Sequence, residues 1–67
     1  MVLHITPWER RVLEQLATGV ATREIAHRLG MNEPDVQSRL NTLFTRMGVR
    51  TRAEAIAAAT RRGLLAA

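Results

Sequence analysis

Between Thr22 and Gly48 the chain reads TREIAHRLGMNEPDVQSRLNTLFTRMG: a short periodic stretch, a glycine, and a longer periodic stretch. Apolar residues recur at helical spacing on both sides of Gly30, and nothing alternates with the period of two that a strand needs. Glycine suits the left-handed position that ends a helix. Two helices joined by a short glycine turn have the layout of a helix-turn-helix, whose second helix can enter the DNA major groove.

Caps and periodicity extend this to an all-α, four-helix bundle. The first helix is expected over Pro7 to about Leu16, with Trp8, Val12, Leu13 and Leu16 on one stripe. Thr6 is its N-cap, Pro7 suits the first helical position, and Glu9 closes a capping box. The second is expected over about Arg23 to Leu29, capped by Thr22, with Ile25, Ala26 and Leu29 inward. The third runs from about Glu33 to Met47, capped by Asn32, and Pro34 falls in the first turn, where its missing N–H does no harm. The fourth runs from about Arg52 to Arg62, with a second box at Thr51 and Glu54 and Gly63 as its stop.

The 67 residues suffice for one domain, expected to span 1–67 with its core over 5–65. The core must be thin and the stability only a few kcal/mol. The first three or four residues and the last three are expected to fray. With no cysteine there is no disulfide or thiolate metal site. No apolar run approaches the ~20 residues of a membrane span, and no signal peptide is legible, so the cytoplasm is the expected compartment. The formal charge is +4, and every basic residue is arginine. GC-rich coding alone can replace Lys with Arg, so arginine usage is weak evidence, but the sign of the charge favours a polyanionic partner.

On a helical wheel of the third helix, Val36, Leu40, Leu43, Phe44 and Met47 share one arc. The opposite arc carries Pro34, Ser38, Asn41, Thr42 and Thr45, with Gln37 at one margin. Arg39 and Arg46 lie at the other, beside Asp35. An ordinary solvated face favours Glu and Lys at i, i+4 spacing. These short uncharged groups are poorer helix formers that can touch base edges, and the two arginines can hold phosphate or reach guanine. The bland alternative is a solvated face on which Arg39 pairs with Asp35 one turn back.

Several segments together resemble the LuxR/FixJ/GerE-type DNA-binding domain of bacterial transcription regulators. Ile5-Thr6-Pro7 with Glu9, Val12 and Leu13 is similar to the family's opening L-T-x-R-E-x-E-V-L. Gly19 with Thr22 to Ala26 is similar to G-x-S-N-K-E-I-A, and Arg28-Leu29-Gly30 to its R-L-G turn. Val36 and Leu40 fit V-x-x-H-V, Met47-Gly48-Val49 fits L-G-V, and Arg52 to Ala55 fits R-A-E-A. The likeness covers Ile5 to about Leu65. It implies a third helix in the major groove of double-stranded DNA, with Gln37, Ser38 and Asn41, joined by Arg39, reading bases. It implies phosphate contacts from Arg23, Arg46 and Thr22. It also implies a homodimer through the fourth helix, using some of Ala55, Ala58, Ala59 and Arg62; the alternative for these alanines is close packing on the first helix. No cofactor, small molecule, membrane or metal is implied, and no catalytic group is legible, so the chain is not expected to be an enzyme.

The departures from the pattern are electrostatic. Pro34-Asp35 stands where the family has Lys-Thr, and Gln37 replaces a frequent Lys. Trp8 replaces a common Arg, and Arg11 a common Glu. Non-specific affinity scales with cations at the DNA face, so weak binding by the domain is expected. The alternative function is a protein docking or dimerisation module on the same fold. His4 and His27 lack metal-ligand partners and read as surface residues, and Trp8 reads as a packing aromatic rather than a base-stacking platform.

Overall fold

The structure, a computed structural model, describes residues 4–65. Its four helices are α1 (Pro7–Ala17), α2 (Thr22–Leu29), α3 (Glu33–Met47) and α4 (Arg52–Arg61), with no strand among the described residues. Helix α3 packs most extensively on α2, and α4 on α1.

The start of α1 follows the expected chemistry. The Thr6 hydroxyl accepts from the Glu9 N–H at 3.1 Å, and the Glu9 carboxylate accepts from the Thr6 N–H at 2.8 Å. The other starts differ. Helix α2 opens one residue earlier than expected: Ala21 is the N-cap, with extended backbone, and Thr22 is already helical. Ala21 has no side-chain acceptor, so this N-terminus carries no side-chain cap. Asn32 does sit at the N-cap of α3, yet its side chain makes no capping bond. Thr51 caps Glu54 N–H, but Glu54 answers on the Thr51 hydroxyl at 3.2 Å, so the second box is half made.

The helix ends share one device. Gly30 (φ 65°) and Gly48 (φ 72°) take the left-handed conformation that L side chains avoid. The next residue then donates five positions back, Met31 to Ala26 at 2.9 Å and Val49 to Phe44 at 3.0 Å. Val20 and Leu64 do the same after Gly19 and Gly63. All four following residues are apolar and pack, partly buried, against the core. Helix α1 thereby runs one residue past Leu16, and α4 stops at Arg61, one short of the expected Arg62.

The core is wholly apolar: Val12, Leu13 and Leu16 from α1, Ile25 and Ala26 from α2, Val36, Leu40, Leu43 and Met47 from α3. Ala55, Ala58 and Ala59 complete it from α4, at 0%, 2% and 0% exposure. This corrects the expected dimer face. Of its four residues only Arg62 is exposed; the alanines are consumed by packing within the chain, where small side chains let α4 approach closely. Leu29 and Phe44 are only partly buried, at the edge of the core. Of the ends expected to fray, residues 1–3 and 66–67 lie outside the described span, while Leu65 is buried against the core.

Leu43 is fully buried at the middle of this seam. Leu43→Ala should cost about 2–5 kcal/mol, a large part of the stability of so small a domain, read as a lower urea midpoint. A midpoint within error of wild type would show that α3 is not held by this stripe.

Candidate nucleic-acid interface

Burial of Val36, Leu40, Leu43 and Met47 turns the opposite side of α3 outward. Gln37, Ser38, Asn41, Thr42 and Thr45 are all exposed, as expected. Their hydrogen bonds stay on the helix. Gln37 Nε2 donates to Asn41 Oδ1 at 2.9 Å, and the Thr42 and Thr45 hydroxyls donate to the carbonyls of Ser38 and Asn41 at 3.2 and 2.9 Å. The face is therefore ordered and polar, and the other described residues leave it uncovered. Asn41 keeps its amide N–H groups and Gln37 its carbonyl for a partner, the donor and acceptor pair that adenine recognition uses.

Two grooves flank this ridge. One brings Gln37 and Asn41 together with Thr22, Arg50 and Arg52, over a floor of Leu40 and Phe44. Thr22, half-buried, thus lies beside Gln37 and Asn41. The other groove is lined by Thr6, Trp8, Glu9, Ser38, Arg39 and Thr42. Arg23 is exposed but lies apart, in a shallow hollow with Ala21, Glu24 and His27. The structure does not bring it together with Gln37 and Asn41.

The arginines of α3 are engaged in ways the wheel does not show. Arg46 forms an ion pair with Glu9, the acid that also caps α1. The Glu9 side chain is only 13% exposed and that of Arg46 43%. Arg39 makes no pair with Asp35; its guanidinium lies over the Trp8 ring, 5.2 Å from the centroid. Two residues outside the expected site also matter. Arg52 donates to the Val20 carbonyl, tying α4 to the turn before α2. Arg50, in the α3–α4 turn, lines the groove beside Asn41. The R-A-E-A match flagged Arg52; no sequence signal marked Arg50. His4 and His27 are exposed, and among the described residues no cluster of three or more His, Cys, Asp or Glu is placed to hold a metal. No helix of the described residues is long and apolar enough to cross a membrane.

This arrangement, a short helix, a left-handed glycine and an outward polar helix, agrees with comparison to known proteins. Residues 3–59 match the family described as bacterial regulatory proteins, luxR family. The chain belongs to the luxR family of bacterial regulatory proteins. It is 36% identical over 61 residues to the transcriptional regulatory protein YdfI of Bacillus subtilis (strain 168), covering 91% of this chain and 29% of that one. It is 35% identical over 54 residues to the probable HTH-type transcriptional regulator GfsR of Streptomyces halstedii, covering 81% and 22%. The putative HTH-type transcriptional regulator Rv0890c of Mycobacterium tuberculosis (strain ATCC 25618 / H37Rv) is 32% identical over 59 residues, covering 88% and 7%. The chain thus spans less than a third of the length of the curated relatives it matches. No solved structure matches it significantly.

Glu9 serves two partners, so its removal should cost more than that of Arg46. Glu9→Ala loses a capping bond and the ion pair, about 1–2 kcal/mol together, whereas Arg46→Ala loses a half-exposed ion pair worth under about 1 kcal/mol. Chemical denaturation of both variants tests this; equal costs would show that the box contributes nothing.

Proposed function

We propose that this chain binds double-stranded DNA, with α3 in the major groove, as the output domain of a larger transcription regulator. The observation that carries this reading is the orientation of α3. Its apolar stripe is buried in the core, with α3 packed on α2 and α4, and its Gln/Ser/Asn/Thr ridge is exposed. A groove wall needs short donors and acceptors that can approach base edges, and Gln37, Ser38 and Asn41 supply them. Family membership and the printed names of the relatives as transcriptional regulators support the same reading, and the small share of each relative that is matched supports a separate sensing part. Such a partner places the chain in the bacterial cytoplasm, and the chemistry required is binding rather than catalysis.

Phosphates are held by Arg23, Arg46 and Thr22, with Arg50 added from the groove beside Asn41. Arg46 must then exchange Glu9 for a phosphate or share itself between the two. A homodimer uses the outward face of α4, where Ala53, Ala57, Arg61 and Arg62 are exposed, rather than the buried alanines. Pairing two such domains would set two half-sites on one DNA face.

Titration of the chain with duplex DNA at two salt concentrations tests the reading. Affinity should fall steeply with salt, roughly one unit of log–log slope per phosphate contacted. Little binding at either salt would favour a protein docking module on this fold. Two substitutions refine it. Asn41→Ala should weaken binding by about 1–3 kcal/mol on a selected operator and far less on mixed-sequence DNA; equal losses on both would remove Asn41 from base reading. Asp35 is exposed at the start of α3, the end that the proposed pose turns toward a phosphate. Asp35→Thr should tighten binding by removing a repelled charge, and unchanged or weaker affinity in a fluorescence-anisotropy titration would show that the N-terminal turn of α3 faces away from DNA.

A further inference from the structure

In the groove between α1 and α3, Trp8 and Arg39 have no role in the binding proposed above. The groove is lined by Trp8 and Glu9 on one wall and Ser38, Arg39 and Thr42 on the other. Within it the Arg39 guanidinium sits over the Trp8 ring, at 5.2 Å from the centroid. Trp8 is itself anchored, because it packs partly buried against the core. Glu9 does not neutralise Arg39, since its carboxylate is committed to Arg46 and the Thr6 N–H. Asp35, one turn back, makes no ion pair with it either.

We infer that Trp8 is a positioning residue that holds Arg39 as a clamp for a DNA backbone phosphate at the α1 edge of the groove. This rests on the DNA-binding reading, and it replaces the base-reading role expected for Arg39 from the sequence with a grip on the backbone. The geometry decides between the two. Arg39 lies at the margin of the polar face rather than on its ridge, and stacking on α1 directs it toward the groove wall. A guanidinium held over an aromatic face uses its charge and not its N–H groups in that contact, and those N–H groups are the donors that fork onto phosphate. A long flexible side chain otherwise loses rotamer freedom on binding; the ring removes part of that cost beforehand. The pair also answers the missing lysines on this face, by fixing in place one cation that remains.

A phosphate contact carries no sequence information, so a mixed-sequence duplex at low salt is a sufficient probe. Wild type, Arg39→Ala, Trp8→Leu and the double variant are titrated with it over a range of salt. Arg39→Ala should lower the log–log salt slope by about one. Trp8→Leu keeps the charge but loses the platform, and should weaken binding about two- to fivefold. The double variant should bind like Arg39→Ala alone. An unchanged slope in Arg39→Ala, or additive losses in the double variant, overturns the proposal while leaving DNA binding intact. A wild-type chain that ignores the duplex at every salt overturns both. Trp8 is the sole tryptophan, so its emission reports the pair directly, whether or not Trp8→Leu folds. Arg39→Ala, at an exposed position, should change that emission in the free chain, and identical spectra overturn the stacking on which the clamp depends.

Discussion

The burial of one stripe of α3 decides nearly everything else in this molecule. Val36, Leu40, Leu43 and Met47 are almost completely withdrawn from water, and each turn of the helix that they fix inward fixes Ser38, Asn41, Thr42 or Thr45 outward. The two faces are one constraint, because a helix cannot rotate to hide its polar side without exposing that stripe. No polar side chain is buried among the described residues, so this preference is not diluted by any competing hydrogen bond in the core. The presentation of a polar ridge is thus driven by hydrophobic burial behind it.

Much of this was legible from spacing and caps alone. Thr6 and Glu9 carry a reciprocal motif whose partners lie three residues apart, so a linear reading suffices. The same holds for Gly30 and Gly48, whose backbone demand is written in the residue type. The wheel for α3 succeeded because its apolar and polar residues separate cleanly. In α4 the sequence leaves two readings of the alanines open, a dimer face or packing on α1, because alanine is small enough for either; only tertiary contact shows that Ala55, Ala58 and Ala59 are interior. The start of α2 is also only partly legible: a threonine before a periodic stretch reads as a cap, yet Ala21 takes the extended N-cap position and Thr22 is already helical.

What spacing could not show is the traffic between α1 and α3. Glu9 meets Arg46 across 37 positions of sequence, and Trp8 meets Arg39 across a similar span. Both contacts attach the margin of the polar ridge to the first turns of α1. One of these arginines, Arg46, is paired with a carboxylate, while Arg39 keeps its full charge over the neutral Trp8 ring. Electrostatics here serve placement as much as attraction.

Each helix ends in a glycine followed by an apolar residue that is pinned to the core, Val20, Met31, Val49 and Leu64 in turn. Such ends are fastened from inside, so the turns on either side of α3 are each tied to the core by a backbone bond and a packed side chain. A binding surface delivered in that state has little backbone order left to acquire when a ligand arrives. Its association should carry a modest entropic toll and a heat signature governed by the displaced ions and water, not by folding of the protein.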